Sequence, residues 1–421
     1  MQCLAPQRPS FKALADILYR HRRHQFSTSQ PRLQLKQVPF LSSWNQDVFE
    51  REAYLPATPA RLPRSAEHIP PACSKWFIHD NDVDFVLTSS TTSPSTNNST
   101  DVKTIHFPTS SELRTSFWSD YESAIVPLEI TSKGNRHEGE EETFERIEAP
   151  LKVLLTYLSN PDSSISGSST QLPPPSQENK HSIYLAQCDL TSLPSSVVDD
   201  IPTPTPLRIV SSSSSSSSSS KSRCNPDSIS SGSSSTSSAF YSGEAGGNRP
   251  KKRRGMIKGD IYASSLWLGR PPTYTPLHRD PNPNLFIQLA GRKAVRLLPP
   301  EVGGAIFDDV QDRIRIASRT ARHTPSSATI RGDEMMVGPE KVALHDAIWL
   351  DDDDDDYDNH VDSDTDDDKP KTKNRYSDVL RTYGLETHLQ LGDALFIPKG
   401  WWHSVKGVGH GVTASVNWWF R

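Results

Sequence analysis

Cysteine is almost missing from this chain. Four occur in 421 residues, Cys3, Cys73, Cys188 and Cys224, far apart and without a C-x-x-C pair. That excludes a thiolate zinc site and a disulfide framework, and suits a reducing compartment. Long apolar runs are missing too. No stretch reaches the ~18 residues that a membrane-spanning helix needs. Apolar residues make up only 34%, with 34 prolines and a mean hydropathy of -0.60, so parts of the chain cannot bury a core. A strong basic excess is also lacking. The net charge is -5, and nucleic acid is not indicated by charge.

Setting the low-complexity stretches aside leaves roughly 230 residues of ordinary globular sequence, enough for one substantial core. The organisation expected is therefore one domain over residues 39–421, interrupted by polar inserts at about 88–101, 159–180, 203–255 and 312–375. Residues 1–38 carry Arg8, Lys12, Arg20, Arg22, Arg23, Arg32 and Lys36 against a single acid, Asp16. Phe11, Leu14, Ile17 and Leu18 recur at helical spacing, and a Ser/Thr stretch follows. This is the pattern of a mitochondrial transit peptide, with a disordered basic tail as its alternative. Mitochondrial localisation is the expectation. A nuclear or cytoplasmic reading competes through Lys251-Lys252-Arg253-Arg254, which closes an insert containing ten consecutive serines. The runs Asp351 to Asp356 and Asp362–Asp368 lack glycine turns and EF-hand spacing, and read as a self-repelling loop rather than a calcium site.

Two dense segments, 259–300 and 385–421, are rich in β-branched and aromatic residues. Leu266-Trp267-Leu268, Leu285–Leu289, Ala294–Leu298, Ala394–Ile397 and Val412–Phe420 read as strands, as does Ser182–Cys188. The expected fold class is mainly β, a sandwich or barrel of antiparallel strands. His278 and Asp280 stand two apart, so on a strand both face one side. An imidazole and a carboxylate there are two of the three ligands of a facial triad, which leaves positions on iron(II) open. His403 supplies the third, delivered after the Pro398-Lys399-Gly400 turn.

The surrounding residues carry more. Ser265-Leu266-Trp267-Leu268-Gly269, Thr275-Pro276-Leu277-His278-Arg279-Asp280, Asn284, Gly291-Arg292-Lys293, Gly392–His403 and Val416-Asn417-Trp418-Trp419 together resemble the cupin-like JmjC oxygenases. The likeness is to the small hydroxylases of the factor-inhibiting-HIF type. It implies a double-stranded β-helix (jelly-roll) with flanking helices, and Fe(II) with 2-oxoglutarate as co-substrate. Under it His278, Asp280 and His403 are the iron ligands, with no further catalytic residue. Lys293 and Thr275 match contacts to the far carboxylate of 2-oxoglutarate, and Tyr184 resembles the tyrosine that joins them. Asn284 and Asn417 match asparagines near the metal. In relatives a short loop and a few strands fill the region matching 301–384, where this chain has its acidic insert.

The resemblance implies hydroxylation of a protein side chain, with the protein substrate unidentified and oligomeric state open. Lysine demethylation and transfer RNA modification belong to the same chemistry. A cupin-fold scaffold without turnover is the rival from another class. It fits long inserts, yet a decayed site would have lost a ligand or the lysine, and all four are present.

Overall fold

The computed structural model describes residues 33–80, 110–133, 142–160, 181–208, 260–317, 331–350 and 374–421. The serine run, Lys251–Arg254, both aspartate runs, the 88–101 insert and residues 1–32 of the basic N-terminus lie outside the described residues. Leu33, Leu35 and Val38, counted above with the N-terminal segment, are buried.

In chain order the strands are β1 (Lys36–Gln37), β2 (Ala60–Leu62), β3 (Phe77–His79), β4 (Ser110–Leu113), β5 (Ile125–Ser132), β6 (Thr143–Pro150), β7 (His181–Asp189) and β8 (Ile261–Gly269). They continue as β9 (Thr273–Arg279), β10 (Asn284–Ala290), β11 (Arg292–Leu298), β12 (Leu385–Leu389), β13 (Ala394–Ile397), β14 (Trp402–Val408), β15 (His410–Gly411) and β16 (Thr413–Phe420). The four longest helices are α1 (Leu151–Ser159), α2 (Pro300–Ala317), α3 (Gly338–Trp349) and α4 (Ser377–Tyr383).

One sheet has five strands in the order β1-β12-β11-β14-β9. A second has eight, β2-β13-β10-β16-β8-β7-β5-β6, and a third pairs β15-β4-β3. The expectation of a mainly β, jelly-roll double-stranded β-helix is corrected here. A barrel needs every edge strand to pair with another, and among the described residues no ladder joins β9 or β1 to the eight-stranded sheet. Among the described residues of 301–384, helices stand where relatives are expected to have a short loop and a few strands. The architecture is mixed α/β, built of open sheets.

The reason is legible in α2. Val302, Ile306, Val310 and Ile314 recur every four residues and are all buried, which is a helix face rather than a strand's alternation. Within the stretch 312–375, residues 312–317 close α2 and 338–349 form α3. These helices cover the outer face of the five-stranded sheet, packing Phe307, Leu344, Ile348 and Leu380 on Leu277, Ala294, Leu298 and Trp402. The far face of the eight-stranded sheet is covered by a larger cluster including Phe49, Trp76, Trp118, Leu128 and Leu154. Between the sheets the apolar contact is small, Phe286, Leu395 and Ile397 against Val295, Leu297 and Leu389. The rest of that interlayer is polar, and it holds the site.

Gly303 shows how tightly the helix layer is set. A Cβ there would overlap the ring of Trp402, which packs tilted against Phe307 with ring centroids 5.0 Å apart and donates to Pro300 O at 3.1 Å. Gly303→Ala should therefore destabilise the fold by about 1–3 kcal/mol through overpacking. A thermal melt checks this, and an unchanged midpoint would mean the Trp402 ring is free to move.

Candidate metal centre

Three polar side chains meet in the interlayer. His278 on β9, Asp280 just beyond it and His403 on β14 are all buried, and their ligand atoms lie within 4.8 Å of one another. Strand pairing does the positioning, since His278 and His403 face each other in the β9–β14 ladder. Their ring centroids are 4.2 Å apart, and His403 Nε2 is 3.7 Å from Asp280 Oδ2.

Both imidazoles are held by the same device. His278 Nδ1 donates to Pro276 O at 2.8 Å, and His403 Nδ1 donates to Trp401 O at 3.2 Å. A ring that donates from Nδ1 keeps its lone pair on Nε2. Burial, and then the neighbouring His403, hold the His278 imidazole well below its ordinary pKa, so it is neutral. Two imidazoles and a carboxylate are the donor set that suits iron(II). The structure fits the metal.

Beside the triad lies a small cavity of about 50 Å³. Its lining includes Tyr184, Thr275, Asn284, Lys293 and Asn417, so the structure brings every sequence-selected residue to one place. Lys293 on β11 is buried, and Nζ donates to Ser415 Oγ at 2.7 Å and to Tyr184 Oη at 3.4 Å. Both partners are neutral. Burial alone pushes its pKa down to about 7. Burial also drives the Tyr184 hydroxyl far above its usual range, which leaves it a neutral hydrogen-bonding group. A Cβ on Gly269 would overlap the Tyr184 ring, so glycine at that point of β8 is what lets the tyrosine lie flat.

Two bulges shape the cavity wall. In the β9–β14 ladder His278 faces His403 and Thr275 faces Val405, so β9 carries one extra residue. The extra residue resets the alternation and lets Thr275 and His278, three apart, line one cavity. Ser404 ties the bulge down, donating to Thr275 O at 2.9 Å while accepting from Trp349 Nε1 at 2.9 Å. In the β7–β8 ladder Leu185 pairs with Leu268 and Cys188 with Leu266, again one residue extra. There Gln187 adopts φ 53°, a left-handed backbone that costs a non-glycine residue, and reaches the cavity alongside Tyr184.

The asparagines do something more specific than sit near the metal. Asn284 Nδ2 donates to Asp280 Oδ2 at 2.9 Å, and Asn417 Nδ2 donates to Asn284 Oδ1 at 3.2 Å.

Gln187 and Arg331 escaped the sequence reading. Arg331 is buried beside the site, with Nη2 bonded to Glu129 Oε2 at 2.5 Å and the guanidinium 5.5 Å over the Trp267 ring. Glu129 also accepts from Arg146 at 2.8 Å. Nothing local announces such a pair, because the partners are joined only by the fold. His388 and His410, by contrast, are exposed and outside the cavity.

Residues 49–421 match the family model of the cupin-like domain. The chain belongs to the cupin-like domain family. The lysine-specific demethylase JMJ30 of Arabidopsis thaliana is 24% identical over 161 residues, 38% of this chain. The stretch covers 27% of that protein, so the chain matches about a quarter of the relative's length. The two-histidine, one-carboxylate triad of this cupin-like domain matches the metal-binding triad of the JmjC/cupin iron(II) oxygenases. No helix among the described residues is long and apolar enough to cross a membrane.

Proposed function

We propose that this cupin-like domain is an Fe(II)- and 2-oxoglutarate-dependent dioxygenase that hydroxylates a protein side chain. The observation that carries the reading is Lys293. A buried ammonium with only neutral partners is costly, and it lines the same cavity as the metal triad. A dicarboxylate long enough to reach from one to the other satisfies both. Lys293 then takes the far carboxylate as a charge-assisted pair, with hydrogen bonds from Tyr184 and Thr275. His278, Asp280 and His403 hold the iron. When bound, iron(II) supplies the coupled oxidation of 2-oxoglutarate to succinate and carbon dioxide and the hydroxylation of a C–H bond. The chain's own part is to orient the ligands and keep water from the interlayer, which the apolar contact of Phe286, Val295, Leu395 and Ile397 does.

A protein substrate is supported by the resemblance to the small JmjC hydroxylases. The demethylase name of the Arabidopsis relative supports a second reading, because hydroxylating an N-methyl group releases it as formaldehyde.

A thermal shift of the purified full chain with Mn(II), a redox-silent stand-in for iron, tests the site. With metal present, 2-oxoglutarate at 100 times its dissociation constant should add about 2.7 kcal/mol. Without metal it should add much less. If 2-oxoglutarate leaves the Mn(II)-loaded protein unmoved, the co-substrate assignment is wrong. Once a substrate peptide is in hand, a mass gain of one oxygen marks hydroxylation, and formaldehyde marks demethylation.

A further inference from the structure

The hydrogen-bond chain that ends on Asp280 starts further back than the asparagines. Trp267 on β8 donates from Nε1 to Asn417 Oδ1 at 2.7 Å. Asn417 on β16 passes the chain to Asn284 at 3.2 Å, and Asn284 on β10 passes it to Asp280 Oδ2 at 2.9 Å. The three donors stand on neighbouring strands, β8, β16 and β10, so the chain runs obliquely across the sheet to the metal ligand.

Its two ends fix its direction. An indole nitrogen can only donate, and an ionised carboxylate can only accept. Between them each amide has one workable orientation, oxygen toward Trp267 and nitrogen toward Asp280. Reversing Asn417 would aim its NH2 at the indole N–H and its oxygen at the oxygen of Asn284. Asn417, Asn284 and Asp280 are exposed by only 1%, 5% and 7%, so solvent offers no substitute partner, and a low-dielectric chain of this kind is strengthened along its length.

We propose that Trp267 is a positioning residue of the metal centre: through the amides of Asn417 and Asn284 its N–H sets the rotation of the Asp280 carboxylate. The assignment rests on the triad as the metal site and adds a residue that touches none of the three ligands. Outer partners of this kind set metal affinity by about 10–100-fold.

The test is a Mn(II) titration of the metal-free full chain, with free Mn(II) read by its paramagnetic resonance signal. Trp267→Phe keeps an aromatic ring and removes the donor, and should bind Mn(II) about tenfold more weakly. Because the links act in series, Trp267→Phe combined with Asn417→Ala should bind no more weakly than Asn417→Ala alone. A role in packing alone would give independent losses that multiply. The visible absorption of the Co(II)-loaded protein should shift the same way in Trp267→Phe and in Asn284→Ala. Should Asn417→Ala fail to fold, Asn417→Ser replaces it in the cycle. Wild-type affinity in Trp267→Phe, or losses that multiply in the double variant, would overturn the relay. A wild type that takes up no Mn(II) would overturn the metal centre and the relay with it, which is a separate and recognisable result.

Discussion

Lys293→Met should make the ligand-free protein more stable and leave it almost unable to bind 2-oxoglutarate. The two effects have opposite signs because the cost and the use of this lysine fall in different states. In the free protein its ammonium is buried against a serine and a tyrosine, and that burial pushes its pKa from 10.5 to about 7. Below pH 7 both folded and unfolded chains carry the proton, and the cost of the buried charge is present in full. Between about 7 and 10.5 only the unfolded chain is protonated. Wild-type stability therefore rises with pH across that window, since stability rises wherever the unfolded state binds more protons. Methionine fills similar volume without the charge, so the variant should gain about 1–3 kcal/mol at pH 6. The gain should shrink toward pH 10. Urea denaturation at the two pH values checks this, and a variant less stable at pH 6 would contradict it.

For 2-oxoglutarate the same change removes one partner of a buried charge pair, a loss of about 3 kcal/mol or roughly a hundredfold in affinity. Wild-type affinity should itself fall by about tenfold per pH unit above pH 7, because the ligand then has to bring a proton to Lys293. The methionine variant should show no such slope. Calorimetric titration of the Mn(II)-loaded proteins from pH 6 to 9 reads both.

The parts of this molecule visible in its sequence are those set by local spacing. The strand segments around Leu285–Leu289 and Ala394–Ile397 show as apolar runs bounded by turns, and the structure has strands there. His278 and Asp280 stand two apart beside a strand end, and the turn before His403 marks where the third ligand enters. Other parts depend on register. Thr275 and Gln187 reach the cavity only because one extra residue in β9 and one in β7 reset the alternation, and no composition signals a bulge. The helix α2 is a different case. Its four-residue spacing is present in the chain, but the insert expected over 312–375 takes in its last residues and all of α3. The same stretch contains Trp349, which braces the β9 bulge through Ser404. Whether two sheets close on each other is a matter of edges, and edges are not written in any one strand.

Asp280→Asn should abolish useful metal binding while leaving the fold nearly untouched. Asparagine has the shape of aspartate and retains an oxygen to accept from Asn284 Nδ2, so the hydrogen-bond chain from Trp267 can still end on it. What goes is the one anionic donor among the three ligands, and with it the charge that best compensates a divalent cation in a buried site. The loss in Mn(II) affinity should exceed a hundredfold, beyond the ~10–100-fold that outer partners control. Mn(II) at a concentration 100 times the wild-type dissociation constant should stabilise the wild type by about 2.7 kcal/mol and the variant hardly at all. The metal-free melting temperatures of the two should lie close together, which separates loss of a ligand from loss of structure. His403→Ala removes a ligand of the other kind and should lose metal as completely, but it also opens a hole between β14 and β9 and should melt lower without metal. If Asp280→Asn keeps Mn(II) affinity within tenfold of wild type, the carboxylate is not a ligand and the metal centre drawn here is wrong.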